Sequence, residues 1–71
     1  MMDKTAAFWL NGTTHPHRPG LSVAELLQEL GWHGKPVVIE YNGEILHRPW
    51  WVSTSIQPGD KIEVVTIVGG G

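Results

Sequence analysis

The chain runs through an apolar segment, Ile62 to Val68, and ends on Gly69-Gly70-Gly71, so a free carboxylate stands at the tip of a stretch without side chains. Glycine loses the most backbone freedom on ordering and packs nothing, which makes it a poor choice where stability is the task. Its use here is access, because a chain without Cβ atoms enters a narrow slot that larger residues would block. Taken alone, tail composition also fits a frayed terminus, where disorder concentrates. The sequence has no cysteine, which removes thiolate catalysis, disulfides and zinc-thiolate sites together. It has no Gly-rich loop followed by Lys and Ser or Thr, so no nucleotide-phosphate cradle is written in it.

Other polar residues carry weaker signals. His15, His17, His33 and His47 lack the close acidic and histidine spacing that selects a metal geometry, and read as surface or turn residues. Arg18, Lys35 and Arg48 are isolated, and a formal net charge of −2 offers no concentrated positive surface for nucleic acid. Arg48 and Lys61 lie too far apart in sequence to infer a phosphate clamp. Trp9, Trp50 and Trp51 are either interface anchors or core plugs, and core packing is the expectation for at least one. No apolar stretch approaches the roughly 20 residues that span a bilayer. Met1 to Leu10 lacks a secretory cleavage pattern. A soluble, cytoplasmic protein is expected.

Seventy-one residues make a single domain with one modest core. Ala6 to Leu10 reads as a strand entering the Asn11-Gly12 turn, with Thr13 to His17 returning. Pro16 and Pro19 place that return at a sheet edge or its exit. Ser22 opens a Ser-x-x-Glu capping box with Glu25, bracketed by Leu21 and Leu26 as a hydrophobic staple. Val23, Leu26, Leu27 and Leu30 then form one apolar stripe, and Gly31 stops the helix. Val37 to Tyr41 is a β-branched strand, Asn42-Gly43 a second tight turn, and Glu44 to Arg48 a short strand interrupted by Pro49. One indole of Trp50-Trp51 is expected to plug the core. After the Gln57-Pro58-Gly59-Asp60 turn comes the final strand from Lys61. Ile62, Val64 and Thr66 are expected on its core face, with Val65 and Ile67 on a second apolar surface. One helix covering a mixed sheet makes an α+β domain.

These residues carry a resemblance. Val64-Val65-Thr66-Ile67-Val68-Gly69-Gly70-Gly71 behind Gln57-Pro58-Gly59-Asp60-Lys61-Ile62 resembles the ubiquitin-like β-grasp sulfur carriers, most closely those of thiamine thiazole biosynthesis. Asn42-Gly43-Glu44-Ile45-Leu46-His47-Arg48, Trp51 and the helix around Val23-Ala24-Glu25-Leu26-Leu27 add to it, so it spans nearly the full chain. Gly70-Gly71 falls on the family's terminal diglycine and Gly69 on a preceding small position. The resemblance implies a β-grasp of four to five strands on one short helix, a single carrier domain over residues 1–71, and a flexible reactive tail over 69–71.

It also implies a division of labour. A partner adenylyltransferase uses ATP and magnesium to adenylate the Gly71 carboxylate, otherwise a poor electrophile. Sulfur from a cysteine-dependent relay protein replaces AMP, and the resulting thiocarboxylate serves a thiazole synthase. Under this reading the chain is no enzyme, holds no cofactor or metal, and is monomeric when free. Gly71 carries the sulfur, Gly70 and Gly69 give passage, and Ile67, Val65 and Trp51 are the expected partner contacts. A carrier for molybdopterin or another sulfur metabolite, a ubiquitin-like modifier, and a non-reactive interaction domain remain open. The resemblance does not identify the sulfur donor or give roles to Trp50 and the His15–Pro19 segment.

Overall fold

Two hairpins built on the same dipeptide frame the sheet. At Asn11-Gly12 the φ angles are 50° and 81°, and at Asn42-Gly43 they are 53° and 86°. A two-residue loop with positive φ at both positions matches the twist of the flanking strands, and Asn and Gly are the residues that adopt it cheaply. The first joins β1 (Ala7–Leu10) to β2 (Thr13–Pro16), and the second joins β3 (Val37–Tyr41) to β4 (Glu44–Leu46). Between them lies β5 (Lys61–Thr66), giving the order β2-β1-β5-β3-β4. β5 runs parallel to β1 and antiparallel to β3, so the sheet is mixed. The computed structural model describes residues 6–67.

Helix α1 (Val23–Glu29) supplies the second layer. Its capping box forms as read: the Glu25 N–H donates to Ser22 Oγ at 3.1 Å, and the Ser22 N–H donates to the Glu25 carboxylate at 3.0 Å. Caps of this kind contribute about 1 kcal/mol. At the other end the Gly31 N–H donates to the Gln28 carbonyl at 3.1 Å and the Trp32 N–H to the Leu27 carbonyl at 2.8 Å, the paired bonds of a Schellman stop. Trp32 then packs on the core. Leu30, expected in the buried stripe, is exposed, because it is the C-cap and its backbone already leaves the helix.

The core gathers Phe8 and Leu10 from β1, Val37 and Ile39 from β3 and Ile62 from β5 beneath Val23, Leu26 and Leu27 of α1, with Leu21 and Ile56 at the margin. Pro16 is accommodated because β2 is an edge strand, where a missing N–H breaks no interior ladder. β4 is shorter than the expected Glu44 to Arg48. Arg48 instead begins a 3-10 helix (Arg48–Trp50), whose first turn tolerates Pro49 without an amide proton. Trp51 is the core plug of the tryptophan pair. Its indole N–H donates to the Leu46 carbonyl at 2.8 Å, while Trp50 stands 62% exposed. Thr66, expected in the core, is exposed, since the β1 ladder ends at Leu10↔Ile62 and leaves the end of β5 uncovered on that flank.

Candidate functional site

The candidate site is the last strand and the sheet face turned away from α1. Alternation along β5 sends Ile62 inward and Glu63 and Val65 outward. Val65 and Ile67 are 49% and 50% exposed, as the alternation predicted. Val65 lies opposite Val38, and Glu63 lies opposite Glu40, which in turn faces Ile45 on β4. Trp9 sits beside Lys61, and these two with Gly12 and Glu63 line a shallow hollow of about 280 Å³. The outer face is thus apolar toward the end of β5 and charged at its middle.

Three groups outside the strand fix its course. Asn42 Oδ1 accepts the Lys61 N–H at 2.9 Å, Asn11 Oδ1 accepts the Val64 N–H at 2.8 Å, and the Pro36 carbonyl accepts the Ile67 N–H at 3.0 Å. The sequence showed Asn11 and Asn42 as turn formers, and their second task on β5 was not legible. Gly69, Gly70 and Gly71, the residues on which the chemical reading rests, lie outside the described residues.

Entry into β5 is set by Asp60. Its carboxylate accepts the Gln57 N–H at 2.8 Å, the Asn42 side-chain amide at 3.1 Å and the Tyr41 hydroxyl. Burial alone would raise the Asp60 carboxyl, but the bonds from Tyr41, Gln57 and Asn42 together hold it below its ordinary value. Burial and then the bond to Asp60 push the Tyr41 phenol up to about 12. A group raised on folding stabilises the native state fully below its unfolded pKa, here about 10, and that contribution is lost as pH rises through the folded value. Asp60 has the opposite sign, with its contribution present above its unfolded pKa and lost as pH falls through the depressed one. Tyr41→Phe is therefore expected to flatten the alkaline fall in urea midpoint between about pH 10 and 12. An unchanged alkaline limb would show that the phenol bond does not carry it.

The structure does not bring Trp51 together with Val65 and Ile67. Trp51 lies on the α1 side, where its carbonyl accepts the Ala24 N–H at 3.1 Å and the Arg48 guanidinium sits 4.9 Å from its ring centroid, a cation–π contact. Two histidines read as surface residues are half-buried, one stacked and one hydrogen-bonded. His15 stacks on Phe8 at 5.7 Å, and the His17 Nε2–H donates to the Ile56 carbonyl at 2.7 Å. Facing Phe8 across the β1–β2 ladder draws His15 toward the core. Arg18, isolated in sequence, pairs with Glu29 on α1. Among the described residues no three His, Cys, Asp or Glu side chains converge as a metal-binding group, and no helix is long and apolar enough to cross a membrane.

Comparison with known proteins places this geometry. The chain is 36% identical over 90% of its length to the uncharacterized protein ycf40 of Trieres chinensis, covering 88% of that protein. It is 34% identical over 87% of its length to a thiazole synthase of Paramagnetospirillum magneticum, where the match occupies 19% of the larger protein. The crystal structure of the thiamine biosynthesis protein ThiS from Geobacter metallireducens superposes with a TM-score of 0.76 at 32% identity, covering 92% of this chain and 99% of that one. The solution structure of a Geobacter metallireducens thiamine biosynthesis protein gives 0.71 at the same identity, over 92% of this chain and 87% of that one. The five-stranded mixed sheet with its single helix is therefore the β-grasp arrangement of these proteins. The ThiS family model matches residues 8–71, from the first core residue of β1 through the terminal glycines, and the chain belongs to the ThiS family.

Proposed function

We propose that this chain is a sulfur carrier of thiamine biosynthesis whose reactive group is the Gly71 carboxylate. The observation that carries the reading is a family match that extends to Gly71, behind a last strand held on both flanks. An adenylyltransferase would join the carboxylate to the AMP moiety of ATP, releasing pyrophosphate. A hydrosulfide equivalent, sulfur released at the sulfide level by a cysteine-dependent relay and its thiol reductant, then attacks the acyl carbon. AMP departs with the bridging oxygen, and a thiocarboxylate remains. Beyond the carboxylate oxygen that attacks ATP, the sequence writes neither a catalytic thiol nor a nucleotide loop, so in this reading the chain acts as a protein co-substrate rather than an enzyme.

Resemblance to a segment of thiazole synthase polypeptides supports a thiazole synthase as acceptor. Gly69 and Gly70 admit the carboxylate to a partner's slot, and their ordering is offset by hydrogen bonds formed there. The deciding experiment is intact-protein mass after incubation with the adenylyltransferase, ATP, magnesium and a sulfur source. One oxygen exchanged for sulfur at Gly71, then lost on adding thiazole synthase and its substrates, is expected. No exchange despite demonstrated binding would overturn the reading, and consumption by a molybdopterin-forming acceptor instead would redirect it.

Val65 and Ile67 form the docking contact in this reading. Val65→Asp is expected to weaken binding to the adenylyltransferase by about tenfold or more, since a charge at an apolar contact loses at least the roughly 1.4 kcal/mol that factor represents. Its position on the outer face leaves the fold unchanged. Equal affinity for wild type and variant in a binding titration would remove Val65 from the interface.

A further inference from the structure

We propose that Asn11 is a positioning residue for the reactive strand, acting through its side-chain oxygen rather than through the turn it forms. The inference rests on the carrier reading, in which β5 leads into the tail. β1 pairs with β5 as far as Leu10↔Ile62, and the Asn11 N–H still donates to the Ile62 carbonyl at 2.9 Å. There the chain turns back, while β5 continues to Thr66. The next donor on that flank is the Val64 N–H, where a longer β1 would have offered a main-chain carbonyl. Asn11 Oδ1 takes that place at 2.8 Å, extending the parallel ladder by one step with a side chain.

Turn geometry alone does not require this. Glycine meets a positive φ at least as well as asparagine, so what Asn11 adds over Gly is the amide group. Asn42 stands at the equivalent place in the other hairpin and gives its oxygen to the Lys61 N–H at 2.9 Å. Asn42 holds the start of β5 on the β3 flank, and Asn11 holds its middle on the β1 flank. Their combined effect is to fix the direction in which the strand leaves the sheet.

Two variants separate the oxygen from the turn: Asn11→Gly keeps the turn and removes the acceptor, and Asn11→Asp keeps both. Amide hydrogen exchange by NMR is expected to show the Val64 amide exchanging about fivefold faster in Asn11→Gly, the scale of one net hydrogen bond. The Val38 amide on β3, opposite Val65 on the other flank of β5, serves as reference. In the sulfur-loading assay the same variant raises KM for the carrier with kcat retained, the signature of altered docking rather than chemistry, and Asn11→Asp restores both readouts. A Val64 amide that exchanges at the wild-type rate in Asn11→Gly overturns the proposal, as does failure of Asn11→Asp to restore. The exchange arm needs no partner, so a wild-type chain that takes up no sulfur overturns the carrier reading separately.

Discussion

A chain lacking Gly71 is expected to melt at the wild-type temperature and to take up no sulfur. Removing one residue withdraws the carboxylate by about 3.5 Å, the span of one extended residue. Misplacement of a reacting group by about 1 Å costs on the order of 100-fold in rate, so the shortened chain falls below detection although it still ends in a glycine carboxylate. The fold is spared because the core runs from Phe8 to Ile62 and the last strand is already anchored at Ile67 by Pro36. Intact mass with a thermal melt on the same sample decides the matter. Loading of the truncated chain at the wild-type rate would refute terminal chemistry, and a large fall in Tm would give the glycine a structural task.

Phe8→Ala carries the largest expected cost to stability. Phe8 is 1% exposed, lies among the core residues of all three interior strands, and stacks on His15. Truncating a buried Phe to Ala costs about 3–5 kcal/mol through lost transfer energy and the cavity left behind. A domain of this length has roughly 4–10 kcal/mol in total, at 0.05–0.15 kcal/mol per residue. The variant is therefore expected to lose about half or more of its stability, read as a drop in urea midpoint at unchanged slope. A loss below about 1 kcal/mol would mean that the site collapses around the smaller residue, with His15 the neighbour placed to fill it.

Local signals were legible and long-range ones were not. The Ser22–Glu25 box, the Gly31 stop and both Asn-Gly turns are written in residues within a few positions of one another, and each forms. The outward facing of Val65 and Ile67 follows from strand alternation alone. The parallel pairing of β1 with β5 joins residues about fifty positions apart, and no local pattern encodes it. Separations of 53 and 39 positions likewise hide the bond from the Val64 amide to Asn11 and the one from His17 to the Ile56 carbonyl. Adjacent Trp50 and Trp51 are chemically alike, so which of them plugs the core depends on the 3-10 turn at Pro49. Thr66 was misplaced because alternation assigns a face but does not say where the covering ladder ends. The chemistry assigned to Gly71 follows from family membership, since glycine side-chain chemistry writes nothing.

The central place of β5 has a mechanical consequence. In the proposed function an end that enters a partner's slot must later be withdrawn, and the load would then fall along the last strand. Ladder bonds run across that direction, so β1 and β3 resist the pull in shear, many bonds at once, rather than peeling apart one by one. The cross-links from Asn11, Asn42 and Pro36 add to the same resistance. For the proposed carrier the expectation is therefore that withdrawal from a partner leaves the sheet intact, the load being shared across both flanks of β5.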